Sequence, residues 1–274
     1  MPAKHSGTEY DKRIRRADLL ASVHPFANEV LQFYKRIAEF QKDLRARIAV
    51  ELPDAKDAAV AELRELLQVD AALSHFPEFL KVVAEAAPAT LAEAAHQVSA
   101  ERASVWRQLL LDYWNTSGRD DSPNAAFEQF LPRAFLQPYA EGLSCVTPRA
   151  EVHNFSSLCP LCGARPLLGV MRPEGDGGKR FLLCSFCLQE WEFRRIFCAT
   201  CGEETEAKLP VYVAEQFPYM RVDACDTCKF YLRTIDLTKD GNAVPLVDDL
   251  AAIPLSLWAE ERGYSRAQPN LLGT

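Results

Sequence analysis

Through the first half of the chain, apolar positions recur at steps of three and four. Over residues 28–50 they are Val30, Phe33, Tyr34, Ile37, Leu44 and Ile48, the spacing of one face of an amphipathic helix. Pro25 and Pro53 flank this stretch as breakers. A short helix is predicted over 57–68, with Val60, Leu63 and Leu67 on one face, and another over 76–86. Pro88 sits where a first helical turn tolerates proline. After it the pattern predicts one long helix over 90–114, buried along Val98, Val105, Leu109 and Trp114. Residues 118–123 read as a polar loop. Residues 125–139 read as a further helix, with Phe127, Phe130, Leu131 and Phe135 inward and Pro132 as a kink. The first 100 residues hold 21 alanines and a single glycine, Gly7, a bias that favours helix.

Near residue 150 the period changes. Short apolar runs at 167–171, 179–183 and 209–213 predict strands. Gly175, Gly177 and Gly178, with Asp176, predict a turn between the first two. Asp240-Gly241 has turn chemistry. Beyond it Leu246, Leu250, Leu257 and Trp258 predict a closing helix, broken or bent at Pro254, and a polar tail spans 263–274. The pattern is that of an α+β chain, with an α-helical domain over 1–154 followed by two small modules over 155–197 and 198–274, the second ending in the C-terminal helix.

Composition narrows the class. The chain is 48% hydrophobic and 25% charged, which is globular rather than disordered. Against 31 basic residues stand 38 acidic ones, a net charge of −7, a sign that repels a phosphate backbone, so no nucleic-acid partner is expected. No run approaches 18 apolar residues, and the N-terminus lacks an apolar signal region, so neither membrane insertion nor secretion is expected. The reading is a cytoplasmic protein, where clustered thiols point to metal ligation rather than disulfides.

The thiols are clustered. Eight of the nine cysteines fall in the 70 residues from Cys159 to Cys228. They form four Cys-x-x-Cys pairs: Cys159/Cys162, Cys184/Cys187, Cys198/Cys201 and Cys225/Cys228. A two-residue spacing lets a tight turn aim both sulfurs at one ion, and two such knuckles complete a tetrahedron. Gly163 and Gly202 close the first and third knuckles, whereas the second and fourth lack a glycine. Cys159 to Cys198 is 39 residues and Cys184 to Cys225 is 41, the mark of an internal duplication. Duplication favours pairing within each repeat. The alternative joins Cys184/Cys187 to Cys198/Cys201 across ten residues. A redox dithiol of thioredoxin type is a weaker reading, because four equal pairs single out none.

Four sulfurs accept zinc or iron. All five histidines precede the first knuckle, so the sites are all-cysteine, structural or electron-carrying rather than hydrolytic. Residues 155–240 hold 11 basic and 12 acidic side chains, 11 − 12 = −1, without the basic face of a nucleic-acid-binding zinc ribbon. Cys145 stands apart and reads as a buried small apolar residue. Trp191 is expected to pack between the modules.

The order CPLCG, LLCSFC, Glu190-Trp191, Arg195, CATCG and CDTCKFYLRTID, then VDDLAAIPLSLWAEERGY and the ending Asn270-Leu271-Leu272-Gly273, resembles the formate dehydrogenase accessory protein family, FdhE. The resemblance spans the chain loosely and residues 155–274 closely. It implies a helical N-terminal domain and tandem rubredoxin-like, zinc-ribbon-like modules whose eight cysteines hold two metal ions, iron by family association. It also implies a cytosolic, non-enzymatic maturation role on the catalytic subunit of a molybdenum or tungsten formate dehydrogenase. An electron carrier to a client enzyme and a zinc-ribbon nucleic-acid binder are the competing readings.

Overall fold

A computed structural model describes residues 6–48, 63–116, 128–147, 156–175 and 177–273. The chain divides into two compact units, Met1–Arg149 with Leu271–Gly273, and Ala150–Asn270.

The first unit is helical. Its elements are α1 (Ser6–Val23), α2 (Asn28–Ile48), α3 (Val69–Leu73), α4 (Phe76–Ala86), α5 (Ala89–Ser99), α6 (Ala103–Thr116) and α7 (Phe130–Val146). The predicted stripe on α2 is buried, from Phe33 and Tyr34 through Ile37 and Leu44 to Ile48. It meets an aromatic cluster in which Phe40 lies 5.4 Å from Phe79, and Phe76 lies 4.9 Å from Phe135, ring centre to ring centre.

Several expectations are corrected here. The single helix over 90–114 is two helices, because the Trp106 indole N–H donates to the Val98 carbonyl at 2.6 Å and satisfies the end of α5. The buried side of α6 is Leu110, Tyr113 and Trp114, whereas Val105 is 41% exposed. Pro132 falls in the first turn of α7, where it breaks no bond, and Pro138 is the proline inside that helix. Cys145 is exposed, its thiol donating to the Glu141 carbonyl at 3.3 Å. Of the helix predicted over 57–68, residues 57–62 lie outside the described residues, and Leu63–Glu65 forms one 3-10 turn. The loop predicted at 118–123 also lies outside them.

Helix α1 was not predicted, and charged residues explain why. Its buried side includes Tyr10, Ala17 and Leu20, but also Arg13 and Arg16. The Arg13 guanidinium donates to both Glu141 carboxylate oxygens, at 2.6 and 3.2 Å, and the Tyr10 hydroxyl adds a bond of 2.7 Å. Burial pushes the Tyr10 phenol up and raises that of Tyr34 to about 12.

The second unit is one mixed sheet. Its strands are β1 (Pro166–Glu174), β2 (Gly177–Cys184), β3 (Glu190–Glu192), β4 (Val211–Ala214), β5 (Phe217–Ala224), β6 (Phe230–Asp236) and β7 (Ser265–Arg266). The order is β3-β2-β1-β6-β5-β4, with β7 also on β6. Neighbours run antiparallel except β1/β6 and β6/β7, which are parallel. The predicted closing helix is two short ones, α8 (Pro245–Ala251) and α9 (Ile253–Glu261), divided at Ala252, one residue before the stretch that holds Pro254. Ala252, Leu255 and Ala259 pack with Val170, Met220, Val222 and Ile235 of the sheet in one core.

Candidate metal centres

Each Cys-x-x-Cys pair sits in a tight turn, and all four turns share one hydrogen bond. The N–H of the first cysteine donates to the carbonyl five residues on: Cys159 to Ala164, Cys184 to Gln189, Cys198 to Glu203 and Cys225 to Phe230, at 2.8–3.0 Å. The residue after the second cysteine lies in the left-handed region every time. It is Gly163 (φ 71°) and Gly202 (φ 79°), as the sequence suggests, but also Leu188 (φ 58°) and Lys229 (φ 60°). A non-glycine residue there costs about 1–2 kcal/mol. Backbone N–H groups also point at sulfur: Phe186 at Cys184, and Thr200 and Cys201 at Cys198, at 3.4–3.5 Å.

The eight sulfurs gather into two groups by repeat unit. One comprises Cys159, Cys162, Cys184 and Cys187, the other Cys198, Cys201, Cys225 and Cys228, with all sulfurs of a group within 4.8 Å of one another. The interleaved pairing does not form. Across each group the spacings are 3.6 Å (Cys159–Cys187), 3.4 Å (Cys162–Cys184), 3.7 Å (Cys198–Cys228) and 3.7 Å (Cys201–Cys225). A sulfur tetrahedron around an ion at ~2.3 Å has edges of about 3.8 Å. These four spacings lie close to that edge, for either metal at the centre.

Electrostatics favours one thiolate in each group. Hydrogen bonds from Cys162, Cys184 and Cys187 pull the Cys159 thiol far down, while burial pushes Cys184 up. In the second group burial works against ionisation of Cys225, yet the amides of Cys228 and Thr227 outweigh it and lower that thiol, whereas burial raises Cys201 and Cys228.

The groups differ in cover. All four cysteines of the first are buried. In the second Cys201 is exposed and Cys228 half-buried. The turn sequences account for this: Phe186 in the second knuckle is 1% exposed, whereas its counterpart in the fourth, Thr227, lies at the surface. There the Thr227 hydroxyl donates to Glu203 at 2.6 Å and lowers its carboxyl to about 2.

Sequence reasoning missed Arg180, which ties the repeats together. It is buried on β2, and its guanidinium donates to the carbonyls of Arg194, Arg195 and Phe197, at 3.1–3.3 Å, in the segment leading to Cys198. It also pairs with Asp223 of β5 at 3.1 Å. Trp191, expected between the modules, lies on the outer strand β3, its indole N–H on the Ser156 carbonyl at 2.9 Å. In the sequence Arg180 is one half of a basic doublet, Lys179-Arg180, which gives no hint of burial.

A helical unit followed by a sheet with two four-cysteine groups defines a tandem zinc-ribbon-like protein with a helical N-terminal part. Family profiles for the FdhE central domain and the FdhE C-terminal domain match residues 158–195 and 196–272. The FdhE homolog of Pseudomonas aeruginosa is 33% identical over 226 residues, 80% of this chain and 70% of that one. The FdhE homolog of Aquifex aeolicus is 27% identical over 277 residues, 97% and 95% of the two chains. The crystal structure of the FdhE protein from Pseudomonas aeruginosa superposes with a TM-score of 0.64 at 25% identity, over 96% of this chain and 94% of that one. The chain belongs to the FdhE family.

Proposed function

We propose that this protein is a cytoplasmic, non-enzymatic accessory factor that binds the catalytic subunit of a molybdenum- or tungsten-dependent formate dehydrogenase during its maturation. The eight cysteines ligate two metal ions in this reading, one in each of the modules 155–197 and 198–274, behind a helical domain over 1–154. The observation that carries it is the pair of four-sulfur groups at tetrahedral spacing in a member of the FdhE family. Metal binding supplies folding free energy to modules with little core of their own. Among the described residues no helix is long and apolar enough to cross a membrane.

The resident metal is iron, as the family resemblance implies, with zinc as the alternative for the same donors. Anaerobic purification from the native host, metal analysis and visible absorption separate the two. A pull-down with the formate dehydrogenase catalytic subunit tests the client. The accessory reading fails if the two do not associate and formate dehydrogenase activity is unchanged when this protein is deleted. A redox role for one centre is the second reading, favoured by the solvent access of Cys201. Purification with zinc alone at full accessory activity would dismiss it.

A further inference from the structure

The two halves of the sheet repeat one strand arrangement. Each contributes its strands in the order third, second, first: β3-β2-β1 and then β6-β5-β4. Arg180 of β2 pairs with Met171 and Phe181 with Val170. Arg221 of β5 pairs with Val213, and Val222 with Tyr212. Gly169-Val170-Met171 of β1 therefore corresponds to Val211-Tyr212-Val213 of β4. In β1 this stretch is covered by β6, which runs parallel with Thr234, Ile235 and Asp236 opposite it, and the Leu237 N–H donates to the Met171 carbonyl at 2.9 Å. The corresponding edge of β4 is the last of the sheet, with no strand on it among the described residues.

The ladder phase shows which groups face that edge. The Ala224 N–H donates to the Pro210 carbonyl at 3.0 Å. Alternation along the antiparallel pair then turns Tyr212 toward β5 and leaves the peptide groups of Val211 and Val213 facing outward. Met171, the counterpart of Val213, is turned toward β6 in the same way. The side chains of Val211 and Val213 are 54% and 69% exposed, and Ile196 nearby is 46% exposed. Ile196 and Val211 share a surface depression with Met171, Arg195, Arg221 and Thr238. Open edges are ordinarily blunted by charge, proline or brevity. The opposite edge is: β3 has three residues, and its Glu190 and Glu192 are ion-paired with Arg172 and Lys179. Strand β4 is also short, four residues between Pro210 and Glu215, but Val211–Ala214 themselves carry neither charge nor proline, and the edge stays aliphatic.

We propose that the outer edge of β4 is a strand-addition site. An extended segment of the client polypeptide pairs there in parallel, as β6 pairs with β1, and lays aliphatic side chains beside Val211, Val213 and Ile196. A second copy pairing β4 to β4 about a two-fold axis would run antiparallel, unlike β6 on β1, and a second copy offering β3, the counterpart of β6, would present a short acidic strand. The inference rests on the client reading given above.

The test uses full-length, metal-loaded protein and the purified catalytic subunit of the formate dehydrogenase from the same organism. Val213→Pro removes an outward N–H and spares the ladder to β5, the one setting in which a strand accepts proline. At least tenfold weaker binding is expected for Val213→Pro, with Val213→Thr binding as the parent does. The amides of Val211 and Val213 in the unsubstituted protein should gain hydrogen-exchange protection in the complex, a readout that survives even if the proline variant misfolds. Parent and proline variant binding equally, with no protection at these amides, overturns strand addition and leaves the accessory reading intact. A parent that does not bind the subunit removes both.

Discussion

Replacing Asp249 by alanine tests what fastens the C-terminal segment to the sheet. Asp249, on α8, is completely buried. Its carboxylate is ion-paired with the Arg233 Nε of β6 at 2.8 Å, and it accepts hydrogen bonds from the Arg266 Nη2 of β7 at 2.8 and 2.9 Å and from the Asn270 Nδ2 at 3.0 Å. Arg233 is equally buried and donates through Nη1 to the Ala252 carbonyl at 2.7 Å. Asp249→Ala leaves two guanidinium groups in this interior without their shared carboxylate. Removing one partner of a buried pair costs roughly 3–5 kcal/mol, against a total of about 5–15 kcal/mol for a domain. At a urea slope of about 2 kcal/mol/M the midpoint should fall by about 2 M. The assay is urea unfolding of metal-loaded protein, followed by hydrogen exchange at β6 amides so that the sheet unit is read by itself. A fall smaller than about 0.5 M would refute the argument. The triple variant Asp249→Leu, Arg233→Met, Arg266→Met should recover most of the loss, because the desolvation cost disappears with the charges. If it is as unstable as Asp249→Ala, lost packing rather than stranded charge is the cause.

Three further outcomes follow from the geometry. Burial pushes the Glu141 carboxyl up, but the charge of Arg13 and the hydrogen bonds from Arg13 and Tyr10 prevail and hold it below its ordinary value. Its contribution to the helical unit is then complete above the unfolded pKa of about 4.3 and is lost as pH falls through the lower folded value. Glu141→Gln should flatten the acid limb of Tm against pH, and superimposable limbs would contradict this. Gly202→Ala should cost about 1–2 kcal/mol in urea unfolding through its left-handed backbone alone, since the nearest atom to an added Cβ is the Phe197 ring at 3.6 Å; an unchanged midpoint would contradict this. In metal-loaded protein a chelator should empty the second centre first, with iodoacetamide reaching Cys201 and Cys228 before Cys159 and Cys187, because only the second group meets solvent. Release of both ions in a single phase would count against it.

The sequence was most readable where the information is local. A Cys-x-x-Cys turn needs only its own residues, and the 39- and 41-residue offsets between repeats favoured the pairing by repeat that the structure shows. The α2 stripe was readable for the same reason, since its buried face is almost wholly apolar. Helix α1 was not, because its face includes Arg13, whose partner Glu141 lies 128 residues away. Strand β6 escaped because both its faces are covered: Tyr231 through Ile235 are all buried, Arg233 and Thr234 among them. No alternation of apolar and polar residues survives in such a strand.

The same non-local contacts decide how far the two centres are independent. Each knuckle turn is closed by its own backbone hydrogen bond, and a bound metal would offset the left-handed Leu188 and Lys229, since structural zinc supplies about 10–16 kcal/mol against about 1–2 for each strained residue. The modules are nevertheless not beads on a string. Arg180, from the first, fixes the carbonyls that lead into the third knuckle and pairs with Asp223 of the second. Thr234 of β6 donates to that same carboxylate at 2.8 Å and fills the space beside Gly169, where an added Cβ would meet its hydroxyl. A side chain at position 169 would therefore displace the Thr234 side chain and its bond to Asp223, although neither cysteine group is touched. The duplication supplied two four-cysteine units. A buried arginine, an aspartate and one missing side chain join them in a single sheet, whose outer strands among the described residues are β3 and β4.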